Sequence, residues 1–487
     1  MNSKNNSANF TSISPINGQT LWTGETTSNA VIGDVFASSA VAADRWKQQS
    51  IDARIAIVRR YAEILQQRKG EIASLITSET GKLPSEAAGE VSASIAKVKW
   101  SIEALSDRRS ETIVTPNHGA DADPVRRIRY SPLGVTLVLG PFNFPLHLPG
   151  GQIIPALLAG NSVVFKPSDQ STAVGAWMTE AWSAAGLPSG VLQMIVGGIE
   201  VAQAAIDRPE VAAVFLTGSR TAGQSIHRQL AGRPEVLLAL ELGGNNPIVV
   251  DATADPASVA NHVSYSAFVS SGQRCTCARR AVFVEGVNTE QQFSALVEKT
   301  LSLKVGMPDN DPPPQLGPLV SADAAASLKQ TYDDLIAMGC RAIVPLSIDP
   351  GHPSLVSPAI VDATELSSEQ TDALGAMEWF GPLLAVVEAA NLEDAFQVAS
   401  RTPYGLAASL LGGTCDDFQR LVDQVGAGVV NWNGPTTGAA GNLPFGGRGH
   451  SGNHRPAGFF AVDFCNEPVS SIETDALAKT DFWNPKA

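Results

Sequence analysis

Residues 131–166 read SPLGVTLVLGPFNFPLHLPGGQIIPALLAGNSVVFK, and up to Phe165 the run contains no Asp, Glu, Lys or Arg. Such a run invites a transmembrane reading. A spanning helix needs roughly 20 apolar residues with few breaks. Here Pro132, Pro141, Pro145, Pro149 and Pro155 interrupt the run, along with several glycines. The stretch therefore reads as a buried strand over Val135-Leu139, a loop, a helix over Leu148-Ala159 and a second strand over Ser162-Phe165. Strands without polar alternation are those buried on both faces, as in a parallel sheet with helices on each side.

The same rhythm continues downstream. A helix over Thr172-Ala185, a strand over Val191-Val196, a short helix from Glu200, a strand over Ala213-Leu216, a helix over Arg220-Leu230 and a strand over Val236-Leu240 follow in turn. That alternation predicts an α/β fold whose sheet binds ligands at the carboxyl ends of its strands. Upstream, Val41-Trp46, Ile51-Gln67, Glu71-Thr80 and Ala87-Leu105 carry apolar residues at helical spacing. Between them and the sheet, Ile113-Tyr130 is polar and broken by Pro116 and Pro124, which fits a hairpin arm. A second alternating region runs from Pro247 to Gly446, with strands over Ile248-Val250, Ala281-Val284, Leu384-Val387, Ala408-Leu411 and Val429-Asn431. After Phe460 the tail is irregular, and Val469-Ile472, just past Pro468, reads as one edge strand.

At 487 residues the chain is too long for one simple core and implies two or three domains. Its formal net charge of -14 argues against a nucleic-acid or anionic-membrane surface, since either needs a basic footprint. The five cysteines, an odd count in a long chain, do not form a disulfide framework. None has metal-ligand spacing with a histidine nearby, so no metal site is expected. The N-terminal run Met-Asn-Ser-Lys-Asn-Asn-Ser is polar and lacks an apolar signal core. A reducing cytoplasm is the expected location.

Two runs carry the chemistry. Cys275 closes Phe268-Val-Ser-Ser-Gly-Gln-Arg-Cys275, with Arg274 and Arg279 as neighbouring positive charges that favour a thiolate. A deprotonated thiol on a small-residue turn attacks carbonyls. Glu241 follows an apolar strand and precedes Gly243 and Gly244, where a carboxylate can approach a ligand and move a proton. Cys277, two residues past the first thiol, reads as packing. Asn143, in Pro141-Phe-Asn-Phe-Pro145, is either a turn residue or an amide donor to a developing oxyanion. Lys166 and Asp169 lie at a strand end, either solvated or on ribose hydroxyls. Thr217-Gly-Ser-Arg-Thr-Ala-Gly223 joins a strand to a helix and could present backbone N–H groups to an anion. It is neither the usual dinucleotide fingerprint nor a P-loop. Glu378-Trp-Phe-Gly-Pro382 is either a packed turn or a ribose contact, with Phe380 against a nicotinamide.

Taken together, these runs resemble the NAD(P)-dependent aldehyde dehydrogenase superfamily from about Asn17 to Ser471. Phe268-x-x-x-Gly272-Gln273-x-Cys275 is similar to its nucleophile signature, and Glu241-Leu-Gly-Gly to its general-base signature. Asn143, Lys166, Gly218 to Gly223, Glu378-x-Phe380 and Pro444-Phe-Gly-Gly447 fall in the family order. Within the superfamily, Gly272-Gln-Arg-Cys-Thr-Cys-Ala-Arg-Arg280, Leu242-Gly-Gly-Asn-Asn-Pro247, Val430-Asn-Trp-Asn433 and Ser451-Gly-Asn-His-Arg-Pro456 are most similar to the subfamily that oxidises N-succinylglutamate 5-semialdehyde in arginine catabolism.

The resemblance implies an α/β, aldehyde dehydrogenase-like fold. A Rossmann-like NAD(P)-binding domain would take residues 1–112 and 131–243, an α/β catalytic domain residues 244–460, and a small β oligomerisation arm residues 113–130 and 461–487. It implies Cys275 as nucleophile, Glu241 as base and Asn143, with the Cys275 N–H, as oxyanion donor. Cofactor contacts are implied at Pro141, Phe142, Lys166, Ser168, Asp169, Gly197, Gly218, Ser219, Ala222, Gly223, Leu242, Gly243, Glu378 and Phe380. Lys166 and Glu378 would hold the two riboses, and Ser219 would lie by the pyrophosphate. The cofactor is NAD, with NADP left open by Asp169, which stands where the family more often has Glu. A substrate with two carboxylates wants cationic anchors. Arg274, His450 and Arg455 are candidates, with Thr276 beside the nucleophile and His454 on the same loop as Arg455. The expected partners are a small aldehyde and further copies of the chain, as a homodimer or homotetramer. Other readings of the same residues are an aldehyde dehydrogenase for another carboxylated semialdehyde, a cofactor-free thiol hydrolase, or a non-catalytic binding protein.

Overall fold

The computed structural model describes residues 9–114, 125–474 and 483. Five strands form its first sheet, in the order Leu192–Met194, Ser162–Lys166, Val135–Leu139, Val211–Thr217 and Leu237–Glu241. Every neighbouring pair is parallel. The chain builds from Val135–Leu139 to one edge, then returns past it and builds toward the other. Such a reversal leaves a crevice outside the carboxyl ends of the strands.

The uninterrupted apolar strands now have their reason. Val138, Phe165 and Phe215 pack into one core with the helices Ile51–Gln67, Pro84–Arg109 and His147–Ala159. Their neighbours Leu137, Val164 and Val214 point the other way, into a core closed by the helices Ile199–Ile206 and Arg220–Gln229. Side chains alternate across a strand, so a sheet covered twice needs apolar residues at every position. No helix among the described residues is long and apolar enough to cross a membrane.

The second sheet has seven strands, ordered Arg341–Val344, Ala359–Asp362, Leu383–Ala389, Ala278–Val284, Asn246–Val250, Ala407–Leu411 and Val429–Trp432. All its pairs are parallel except the first. The strands Arg341–Val344 and Ala359–Asp362 escaped the sequence reading. Glu241 ends the first sheet and Asn246 opens the second, so the run Leu242-Gly-Gly-Asn245 carries the chain between them.

A third sheet stands apart. Asn466–Glu473 pairs antiparallel along the whole of Val125–Pro132, and Thr112–Val114 pairs with the other edge of that strand. The expected edge strand at Val469-Ile472 is therefore present and longer than its sequence signal. The run between Pro116 and Pro124 that would close the hairpin lies outside the described residues, as does the polar N-terminal run.

Candidate active site

A cavity of about 760 Å³ opens where the carboxyl ends of the first sheet meet the second. Asn143, Glu241 and Cys275 all line it. So do the expected cofactor residues, apart from Gly197 and Gly223. Gly197 sits one residue behind the lining residue Gly198. Gly223 has a packing role: a Cβ there would come within 2.8 Å of the Leu242 side chain, so glycine lets the helix Arg220–Gln229 lie close to the sheet.

Cys275 stands on a loop in an unusual backbone conformation. Ser270 and Ser271 have φ of 54° and 52°, in the left-handed region, and Gly272 follows at 71°. A Cβ on Gly272 would overlap the backbone of Gly381. Two serines in this region cost of order 1–3 kcal/mol each and persist only where their surroundings hold them. The Ser270 N–H and Oγ both donate to Glu86 Oε1, at 2.8 and 2.9 Å. Ser271 Oγ donates to the Gly317 carbonyl at 2.7 Å. Arg279, fully buried, donates to the carbonyls of Gly272 at 2.9 Å, Arg274 at 3.1 Å and Gly381 at 3.2 Å. Asn246 Nδ2 donates to the carbonyls of Cys275 and Cys277, both at 2.8 Å. The nucleophile's backbone is thus tied from four directions.

The thiol itself corrects an expectation. Neighbouring arginines were to favour the thiolate, yet burial, reinforced by the Glu241 carboxylate, pushes the Cys275 thiol up to about 12. Arg279 opposes this only weakly, because its guanidinium is committed to backbone carbonyls. Arg274 is turned toward Ser270 Oγ, 2.9 Å from its Nε. At neutral pH the resting group is a thiol.

Asn143 Nδ2 donates to the Gln273 carbonyl at 3.0 Å, and Gln273 Oε1 in turn accepts from the Val320 N–H at 2.9 Å. An amide nitrogen has two hydrogens, so one remains for an oxyanion near Cys275. Glu241 Oε1 accepts from the Ala457 N–H at 3.2 Å, while Oε2 is buried without a hydrogen-bond partner. Burial raises this carboxyl well above its ordinary value. A proton carrier with one uncommitted oxygen therefore shares the cavity with the thiol.

The rest of the cavity suits a dinucleotide. Ser219 caps the helix Arg220–Gln229, its Oγ accepting from the Ala222 N–H at 3.2 Å, so an anion could approach the helix N-terminus. Lys166 ends its strand with its ammonium buried and only the Pro167 carbonyl, at 3.4 Å, as a hydrogen-bond partner among the described residues. Burial lowers its pKa. Such a donor wants hydroxyls. Glu378 Oε1 accepts from the Gly244 N–H at 3.0 Å across the cavity. The sequence reading missed the wall opposite Lys166: Ile199, Ala202 and Gln203 on one helix face Ile226 and Gln229 on another. The rhythm of strands and helices had placed those helix starts at strand carboxyl ends, but not which of their residues look inward. Phe445, from the Pro444-Phe-Gly-Gly447 run, also lines the cavity.

The expected substrate anchors separate. Arg274 leaves the loop on the side away from this cavity, 5.2 Å over the Phe144 ring. Thr276 is buried beside Cys275. His450 does not stand at a substrate mouth: its Nε2 lies 3.2 Å from an Arg220 terminal nitrogen and its ring meets Tyr404 edge-on, against the cofactor-side helix. The two-strand pairing of Tyr404–Gly405 with Arg448–Gly449 draws it there. Arg455 is exposed, its guanidinium donating to the His454 carbonyl at 3.3 Å.

The aldehyde dehydrogenase family model matches residues 2–469. N-succinylglutamate 5-semialdehyde dehydrogenase of Ectopseudomonas mendocina (strain ymp) is 40% identical over 466 residues, which are 96% of this chain and 94% of that protein. Among solved structures, indole-3-acetaldehyde dehydrogenase of P. syringae, in complex with NAD+, is similar at a TM-score of 0.88 and 27% identity, covering 95% of this chain and 92% of that one. NADP-dependent glyceraldehyde-3-phosphate dehydrogenase of Bacillus halodurans C-125, complexed with NADP, has a TM-score of 0.88 at 26% identity, with 97% of each chain covered. Likeness over so much of the sequence, joined to a thiol, a carboxyl and an amide around one dinucleotide-sized cavity, places the chain in the aldehyde dehydrogenase family, the NAD(P)-dependent oxidoreductases of aldehydes.

Proposed function

We propose that the chain oxidises N-succinylglutamate 5-semialdehyde to N-succinylglutamate, with NAD as the cofactor, in arginine catabolism. The observation that carries the chemistry is the shared cavity of Cys275, Asn143 and Glu241. The choice of substrate draws on the 40% identical relative of that name.

In the mechanism we infer, Cys275 Sγ bonds to the aldehyde carbon as its proton leaves, and the carbonyl electrons move to oxygen. The free N–H of Asn143 Nδ2 and the Cys275 backbone N–H donate to that oxyanion. Bound NAD supplies the acceptor that takes hydride from the thiohemiacetal carbon, which leaves the acyl group on sulfur as a thioester. Glu241 then draws a proton from water, the water oxygen bonds to the acyl carbon, and the carbon–sulfur bond breaks to release the acid. Lys166 and Glu378 would hold the ribose hydroxyls, Ser219 and its helix the pyrophosphate, and Phe380 a face of the nicotinamide.

We place the oligomer contact on the arm sheet, where Ile113, Val125, Val469 and Ile472 are exposed apolar residues on neighbouring strands. All five cysteines are free, which fits the reducing compartment expected from the sequence.

The test is NADH formation from N-succinylglutamate semialdehyde, compared with NADP as cofactor and with other carboxylated semialdehydes by kcat/KM. Turnover should vanish in Cys275→Ala. A higher kcat/KM for a different semialdehyde would reassign the substrate within the same chemistry.

A further inference from the structure

A second cavity, of about 960 Å³, lies behind the Cys275 loop. Adjacent residues divide the two spaces. Asn143 and Cys275 line the first, while their neighbours Phe144 and Arg274 line the second. The partition is therefore one residue deep at two points, both beside the reacting groups. A ligand whose carbonyl sits at Cys275 and whose body points away from the dinucleotide cleft would extend into this space.

The uncommitted polar groups there are donors. Two carboxylates, Glu86 and Glu90, belong to the wall, but each is already matched. Glu86 accepts from the Ser270 N–H and Oγ and, through its other oxygen, from the Leu83 N–H at 3.3 Å. Glu90 pairs with buried Lys82 at 2.5 Å and accepts from the Leu146 and His147 N–H groups at 2.9 and 3.2 Å. Arg274 has its Nε on Ser270, whereas its terminal nitrogens make no hydrogen bond among the described residues, the nearest carboxylate oxygen being 3.9 Å away. Lys299, near the end of the helix Thr289–Ser302, lines the cavity half-buried and has no hydrogen bond or ion pair among the described residues. Half-buried cations without anionic partners, facing a cavity whose acids are already satisfied, favour a visiting anion.

We propose that this cavity is the vestibule for the substrate's anionic tail, in which Arg274 and Lys299 each take a carboxylate and so set the preference for polycarboxylated aldehydes. This rests on the reading of the chain as a dehydrogenase of carboxylated semialdehydes. Arg274 also braces the nucleophile loop, so Lys299 gives the cleaner test.

The experiment compares wild type with Lys299→Ala, Lys299→Glu and Lys299→Arg on N-succinylglutamate semialdehyde and on a neutral aldehyde of similar length. Lys299→Ala should raise KM for the anionic substrate about tenfold, the effect of removing one charge-assisted hydrogen bond, with kcat moving less than KM. Lys299→Glu should raise it further and Lys299→Arg should restore most of it, while the neutral aldehyde responds far less to all three. KM for NAD in each variant controls for disturbance of the cofactor cleft. If wild type prefers the anionic aldehyde and Lys299→Glu keeps that preference, the vestibule is wrong and the substrate reading stands. If wild type shows no preference for the anionic aldehyde, both fall together.

Discussion

The carboxylate of Glu378 occupies the space that a side chain on Gly243 would fill: a methyl group there would overlap Glu378 Oε1 and Cδ. The two residues belong to different sheets' connections, and the pairing brings an acid from the second sheet's side onto the Leu-Gly-Gly turn that ends the first. Glycine serves here through its missing Cβ. Gly243→Ala should expel the Glu378 side chain and break its bond to the Gly244 N–H. Without that carboxylate on the ribose, KM for NAD should rise at least about tenfold while the folded protein keeps its melting temperature within a few degrees. Steady-state kinetics with varied NAD checks this. An unchanged KM would remove Glu378 from cofactor binding.

The state of the resting thiol is testable by alkylation. With the Cys275 thiol pushed up to about 12 by burial and by Glu241, the reactive thiolate is scarce at neutral pH. The rate of modification by iodoacetamide in the cofactor-free protein should climb roughly tenfold per pH unit from neutrality to about pH 10 without levelling off. A plateau below about pH 9 would show a thiolate stabilised by charges that the structure does not bring to it.

Glu241 links activity to stability. Its folded-state pKa lies well above that of an unfolded glutamate because burial opposes the charge. Below about pH 4 the carboxyl is protonated in both states and has no effect on folding. As pH rises, the unfolded chain ionises first, so the folded state loses stability until its own carboxyl titrates. Glu241→Gln should therefore melt at a higher temperature than wild type at pH 8, with the gap closing toward pH 4. The same variant should slow steady-state turnover by about 10²–10⁴-fold while still releasing an initial burst of NADH, because thioester hydrolysis is the step it impairs. Melting curves and pre-steady-state traces on one preparation check both halves. Loss of the burst would move Glu241 to the acylation step instead.

Much of this was legible in the chain because the physics was local. An uncharged run broken by prolines and glycines could only be buried strands and a helix, and the apolar character of Val135–Leu139 on both faces required helices on each side. Cys275 and Glu241 announced themselves through their glycine-rich neighbours. Strands at the margins were harder. Arg341–Val344 is exposed over much of its length at a sheet edge, and the short Thr112–Val114 is exposed throughout, so neither carries an apolar pattern to read.

The acid–base state of the site had to await the folded chain. Arg279 seemed free to stabilise a thiolate until the fold set the Gly381 carbonyl beside it and claimed its guanidinium, together with Gly272 and Arg274. Glu241 acquires its raised pKa from desolvation, and desolvation depends on what the rest of the chain stacks around a carboxyl. Local sequence determined where strands, turns and reactive groups occur, since periodicity and glycine placement act over a few residues. Tertiary structure alone decided which charges are satisfied, which cavities they face and that His450 belongs with Arg220, because those relationships join residues far apart in the chain.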